Sequence, residues 1–309
     1  MPYPSRESKV RKAFIEELMA EALKNPNVWF LTADLGYSFI EPFQATFPDR
    51  FINMGVAEQN MVGVAAGLAL TGKKVFIYSI VNFVTFRCLE QIRQDICYHE
   101  LDVTLVSVGA GYAYADAGYS HHGVEDIAIM RILPHMRIFS PADPREVRLC
   151  MQELCRRPGP AYLRLNKTRE SLYNETGEAS SLQPICVQEG FDFLLLATGL
   201  ALKQALETAR QLPNYSIGVW SFPLLCPLEL GDLEELLVKA RGVISLEEHG
   251  EGGFATLLLE AFHRKKLQVV FEPFFYRKEP LKVAGSTEEL AQKAGFSILK
   301  VVERLESMV

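Results

Sequence analysis

Short apolar runs and amphipathic helical periods follow one another along almost the whole chain. Residues 9–24 place Val10, Phe14, Leu18, Met19 and Ala22 at a helical spacing. "VWFLTADLG" then reads as a buried strand ending in a polar loop. "RFINMG" is a short strand, and "AEQNMVGVAAGLALTG" is a helix closed by Gly72. "KVFIYSI" is a strand, "FVTFRCLEQIRQDICYHE" a helix, and "DVTLVSVGAG" a strand that runs into a Gly/Ala/Tyr-rich loop. "EDIAIMRIL" is a helix and "MRIFSPAD" a strand. "PREVRLCMQELCRR" is a helix with Pro144 at its start, and "PAYLRLN" is a strand. Residues 174–186, "NETGEASSLQPIC", are polar and turn-rich and read as a linker. The alternation then resumes: "FDFLLLATG", a helix over 201–212, "YSIGVWSF", a helix over 232–240, "GVISLEEHG", a helix over 253–265 and a last one near 287–306. Repeated strand–helix alternation predicts parallel βαβ units, hence an α/β protein of two doubly wound domains, residues 1–173 and 187–309. Functional residues are then expected in loops at the carboxyl ends of strands.

Composition narrows the classes. The chain is 49% hydrophobic and 23% charged, ordinary for a soluble globular protein, with a formal net charge of −6. That balance argues against nonspecific nucleic-acid or anionic-membrane binding. Cys88, Cys97, Cys150, Cys155, Cys186 and Cys226 form no CxxC pair and read as small buried hydrophobes in a reducing compartment. No zinc or other metal site is expected from them. "MPYPSRESKVRKAF" has no apolar core of a secretory signal, and no apolar run reaches the roughly 18 residues of a membrane helix. A cytoplasmic protein is expected.

Three stretches carry candidate chemistry. Glu58 in "FINMGVAEQN" follows a strand and opens a helix. The helix dipole favours a carboxylate there, while burial opposes it. The helix that follows offers Glu58 no basic partner, so Glu58 is either satisfied by backbone N–H groups or has a task. In "IVNFVTF", Phe83 and Phe86 stand at i, i+3, a spacing that suits core packing or a stacking surface for a flat ring. In "DAGYSHHGVEDI", His121 and His122 occupy a loop before a helix whose first turn carries Glu125 and Asp126. Histidine suits proton transfer near neutral pH, and the alternative is a surface or capping loop. There is no GxSxG, HExxH, P-loop or complete GxGxxG.

Taken together these stretches resemble the transketolase family. "NMGVAEQNMVGVAAGLALTG" is similar to its central signature. "DLGYS", "LEQIRQDI", "GYSHHGVEDIAIMRILPHMRIFSPAD", "GPAYLRLNK" and "LEEHGEGGF" keep its order. The resemblance covers only that family's pyrimidine-binding and C-terminal domains. No GDG motif of the domain that binds the diphosphate through Mg²⁺ occurs. The chain therefore resembles the C-terminal half of a split transketolase, a transferase of two-carbon ketol units between sugars or sugar phosphates. The resemblance implies thiamine diphosphate as cofactor, Mg²⁺ with its ligands on a separate N-terminal subunit, and an α2β2 heterotetramer.

By the same resemblance Glu58 hydrogen-bonds the cofactor's aminopyrimidine. A carboxyl group in an apolar wall suits this, because burial matches its proton affinity to a ring nitrogen. Phe83, Phe86 and Ile80 line the pyrimidine pocket, with Phe83 the stacking partner. His121 contacts substrate oxygens and exchanges protons with them, with His122 as the alternative. Arg164 and Lys167 lie where the family places cations near the substrate phosphate, and Lys167 stands where relatives have arginine, a point charge in place of a fork. The family's donor-reading aspartate falls at Ala117, with Asp116 one step earlier, and a phosphate-contacting histidine falls at Gly109. The competing readings are a 2-oxoacid dehydrogenase β subunit, a deoxyxylulose-phosphate-synthase-like carboligase, and a non-catalytic partner subunit.

Overall fold

A computed structural model describes residues 9–167 and 182–308. Residues 174–181 of the expected linker and residues 1–8 of the amino terminus lie outside the described residues. The first half contains strands β1 (Val28–Thr32), β2 (Phe51–Asn53), β3 (Lys74–Ile80), β4 (Val103–Val108), β5 (Arg137–Phe139) and β6 (Ala161–Leu165). Its helices are α1 (Lys9–Lys24), α2 (Glu41–Thr46), α3 (Glu58–Leu70), α4 (Val81–Val84), α5 (Leu89–Gln91), α6 (Asp126–Met130) and α7 (Pro144–Arg156). The second half adds β7 (Ile185–Gln188), β8 (Phe193–Ala197), β9 (Ile217–Ser221), β10 (Leu224–Cys226), β11 (Gly242–Leu246) and β12 (Phe271–Phe274). Helices α8 (Ala201–Gln211), α9 (Glu234–Lys239), α10 (Phe254–Lys265), α11 (Thr287–Lys293) and α12 (Ile298–Glu306) pack around them.

Two sheets result, with strand orders β10-β5-β6-β4-β3-β1-β2 and β12-β11-β8-β9-β7. Both are parallel except at one edge, where β10 and β7 run antiparallel to their neighbours. Every residue of β3 and β4 is buried, as continuous apolar runs covered on both faces must be. Ile80 pairs with Val108, and Val108 with Leu165. The segments after β3, β4 and β6 therefore leave the sheet side by side at its carboxyl edge.

The structure departs from the sequence expectations at several points. Strand β7 begins at Ile185, within the span read as linker. Strand β10 belongs by sequence to the second half yet pairs with β5 at the edge of the first sheet, Leu224 against Phe139. The single helix expected from Phe83 onward is broken into α4, a 3₁₀ turn over Phe86–Cys88, α5 and a π-helical turn over Ile92–Cys97. The first break follows Thr85, whose hydroxyl donates to the Val81 carbonyl at 2.7 Å. The last helix is two, α11 and α12, separated where Gly295 takes φ +92°. Cys186 is exposed, against the expectation of six sheltered cysteines. Pro144 does open α7, beneath an Asp143 cap that accepts from the N–H groups of Arg145 and Glu146 at 2.9 and 3.1 Å.

Candidate active site

Glu58 is the first residue of α3 and is 3% exposed. It is not left to the backbone. Arg87 Nη1 donates to Glu58 Oε2 at 2.6 Å. The basic partner that α3 lacks thus comes from the segment after β3. The Arg87 guanidinium also lies over the Phe83 ring, 4.3 Å from its centroid. Phe83 is half-buried, and its other contact is the His121 ring, edge-on at 5.1 Å between centroids. Ile80 is 6% exposed at the end of β3, while Phe86 is 37% exposed and makes no ring contact with Phe83 among the described residues. The i, i+3 spacing of the two phenylalanines assumed a continuous helix, which the break at Thr85 removes.

The loop after β4 closes on itself. Gly111 N–H donates to the Gly123 carbonyl at 2.8 Å, and Gly123 N–H returns to Gly111 at 2.9 Å. The Asn82 side chain donates to the His122 carbonyl at 3.0 Å and ties this loop to α4. A Cβ at position 123 would sit 2.8 Å from Val81 Cγ1, so only glycine admits this approach. The two histidines diverge. His121 faces Phe83 and Tyr114, and its Nδ1 lies 2.9 Å from the Ser120 hydroxyl. His122 is buried against Tyr112, with ring centroids 4.9 Å apart, and burial lowers its pKa. His122 thus points away from the pocket that holds Glu58, Phe83 and His121.

Tyr114 continues the wall. Its ring is 6.0 Å from that of His121, and Lys167 Nζ lies 3.9 Å above its centroid. The Tyr114 ring occupies the space a side chain at position 109 would need: a Cβ on Gly109 would meet it at 2.5 Å. The histidine expected there is therefore replaced in space by a tyrosine from five residues on. Glu58, Arg87, Phe83, His121, Tyr114 and Lys167 form one continuous line of contacts along the carboxyl edge of the first sheet. Asp116 is exposed on the loop and joins none of these contacts.

Arg164 does not face a substrate. Its side chain is 1% exposed and paired with the fully buried Asp126 at 2.7 Å. Arg164 Nη2 donates to the carbonyls of Gly123 and Glu248 at 2.8 and 2.9 Å, so it binds the histidine loop to the second half. Tyr162 O–H also donates to Asp126, at 2.6 Å. Arg164 and His249 hold the Asp126 carboxyl below its usual range although desolvation is the largest influence on it. Arg87, Tyr114 and Asn82 escaped the sequence reading. The only sequence signal for Arg87 is its place four residues beyond Phe83.

A buried carboxylate with one oxygen still unengaged, beside an aromatic ring and an aliphatic wall, fits a flat heterocycle that carries a hydrogen-bonding nitrogen. Among the described residues no cluster of three His, Cys, Asp or Glu side chains is placed to hold a metal ion.

Comparison with known proteins follows the same division. The family model described as "Transketolase, pyrimidine binding domain" matches residues 6–170, and "Transketolase, C-terminal domain" matches residues 185–301. One of the two apulose-4-phosphate transketolase polypeptides of Actinobacillus succinogenes is 33% identical over 85% of this chain and 86% of its own. A solved structure described as "Split gene transketolase, inactive beta4 tetramer" superposes with a TM-score of 0.84 at 30% identity, covering 97% of each chain. A 1-deoxy-D-xylulose-5-phosphate synthase of Halalkalibacterium halodurans is 30% identical over 96% of this chain but only 48% of its own length.

Proposed function

The chain belongs to the transketolase family, and from that premise we propose that it is the subunit of a split, thiamine-diphosphate-dependent transketolase that supplies the pyrimidine pocket and the loop histidine. Glu58, Phe83 and Ile80 hold the aminopyrimidine, and Phe86 borders it. Bound there, the cofactor supplies the carbanion chemistry for moving a two-carbon ketol unit between sugars or sugar phosphates. Glu58 keeps its hydrogen bond on the ring nitrogen and fixes the ring's orientation. His121 hydrogen-bonds and exchanges protons with substrate oxygens. Lys167 offers a point charge to a substrate phosphate. A separate polypeptide supplies the diphosphate and Mg²⁺ ligands, and two copies of each assemble as α2β2. The exposed side of α3 suits such a contact. Gly63 and Gly67 there face open space, and Val56 and Leu70 are 78% and 65% exposed. Residues 1–173 act as the pyrimidine-binding domain and 187–309 as the C-terminal domain. The free cysteines favour a cytoplasmic enzyme, and no described helix is long and apolar enough to cross a membrane.

The observation that carries this reading is Glu58, a carboxylate 3% exposed at the carboxyl edge of a parallel sheet and next to Phe83. Calorimetric titration with thiamine diphosphate and Mg²⁺ tests it. Tight binding is expected only when the chain is mixed with the polypeptide that carries the diphosphate domain. Tight binding by this chain alone refutes the split, and no binding in the mixture refutes the function. Ala117 and the Tyr114-filled space at Gly109 favour a second reading, a carboligase using a 2-oxoacid donor. Release of CO₂ from pyruvate by the assembled enzyme distinguishes it.

A further inference from the structure

We propose that Arg87 is an internal occupant of the pyrimidine pocket, a guanidinium that holds the cofactor ring's place and must leave before the ring can enter. The proposal rests on the pocket assignment above and adds a competitor to it. Two contacts define the pocket: a hydrogen bond to Glu58 and a face on Phe83. Arg87 makes both, with Nη1 2.6 Å from Glu58 Oε2 and Cζ 4.3 Å from the Phe83 centroid. A guanidinium is planar and presents N–H donors at its edge. An aminopyrimidine shares that shape and that edge chemistry. One accessible face of Phe83 admits one flat group at stacking distance, so the two exclude each other.

The two partners differ in freedom to move. Glu58 is fixed at the start of α3 and 3% exposed, whereas the Arg87 side chain is 44% exposed. Among the described residues its guanidinium donates only to Glu58, while its backbone carbonyl is held separately by Gln59 Nε2 at 2.8 Å. Arg87 can therefore swing into water without disturbing the backbone that carries Phe83. The exchange is balanced for Glu58. A buried carboxylate left without a partner is costly, and the arriving ring replaces the bond that Arg87 withdraws. The free chain thereby keeps its carboxylate satisfied, and the pocket opens only to a ligand that can make the same two contacts.

The test is thiamine binding to the full chain, measured by ligand-observed NMR, for the wild type, Arg87→Ala, Arg87→Lys and Glu58→Gln, with circular dichroism to verify folding. A pocket occupied by Arg87 about 80–90% of the time weakens apparent affinity about five- to tenfold. Arg87→Ala is expected to tighten thiamine binding by that factor. Arg87→Lys, which keeps the charge and loses the plane, is expected to recover only part of it, and Glu58→Gln to weaken binding. If Arg87→Ala leaves binding unchanged or weaker while Glu58→Gln weakens it, the occupant role is overturned and the pocket assignment stands. If neither substitution changes thiamine binding, or the Arg87→Ala chain binds none, both are overturned.

Discussion

Replacing Asp126 with asparagine should cost about 3–5 kcal/mol of stability, because it strands a buried charge. The Arg164 side chain is 1% exposed and that of Asp126 fully buried, so neither charge has water to fall back on. Arg164 Nε lies 2.7 Å from Asp126 Oδ2, and its Nη2 lies 3.4 Å from Oδ1. Asparagine keeps the shape but removes the charge and one acceptor oxygen. It also faces Tyr162 O–H, which now donates to Asp126 at 2.6 Å. The assay is urea unfolding followed by circular dichroism and by the fluorescence of Trp29 in β1 and Trp220 in β9, one in each sheet. Arg164 reaches across to the Glu248 carbonyl, so the variant should also separate the two sheets' transitions. Arg164→Met in the same background should recover a large share of the loss, since removing both partners strands nothing. A loss below about 1 kcal/mol, or strictly additive single and double variants, would refute the argument that this pair is sealed from solvent and shared between the two halves.

Three further outcomes follow from the geometry. Gly109→Ala places a Cβ 2.5 Å from the Tyr114 ring at a φ of +104°, so it should destabilise the chain by about 1–3 kcal/mol in thermal melts; an unchanged melting temperature would contradict it. Lys167→Met should raise KM for a phosphorylated substrate about tenfold or more, with kcat less affected, whereas equal effects on unphosphorylated substrates would deny a phosphate role. Desolvation, the largest influence on each, raises Glu247 and Glu248 from the usual 4.5 to about 7 and lowers His249 from 6.5 to about 4. For the two glutamates the folded chain keeps protons that the unfolded chain loses, so their contribution is lost as pH rises from about 4.5 through about 7. For His249 the contribution is present above about 6.5 and is lost as pH falls toward about 4. Thermal stability should therefore decline between pH 5.5 and 8.5, and Glu248→Gln should flatten that slope. An increase in stability over this range would reverse the sign argued here.

Much of the candidate site was legible as positions and little of it as contacts. Glu58, Phe83 and His121 each stand just past a strand, and a parallel sheet gathers such loops at one edge. That rule places residues near one another but does not orient side chains. Adjacent histidines in one loop look equivalent in sequence. Only the Gly111–Gly123 closure and the Asn82 tie send His121 toward Phe83 and His122 toward Tyr112. Arg164 looked like a cation at an open strand end. The loop after β4 and the segment after β11 fold over it and turn it into an internal pair for Asp126.

The sequence by itself determined the fold class, the order of its units and the edge at which chemistry gathers. Those depend on local periodicity and on the connection rules of parallel strands, which act over tens of residues. Tertiary structure decided the partners. Arg87 meets Glu58 from 29 residues away, Tyr114 fills the space beside Gly109, and β10 crosses to the other sheet. These outcomes depend on how surfaces distant in sequence close against each other, and close packing then leaves each buried charge and each glycine only one workable neighbour.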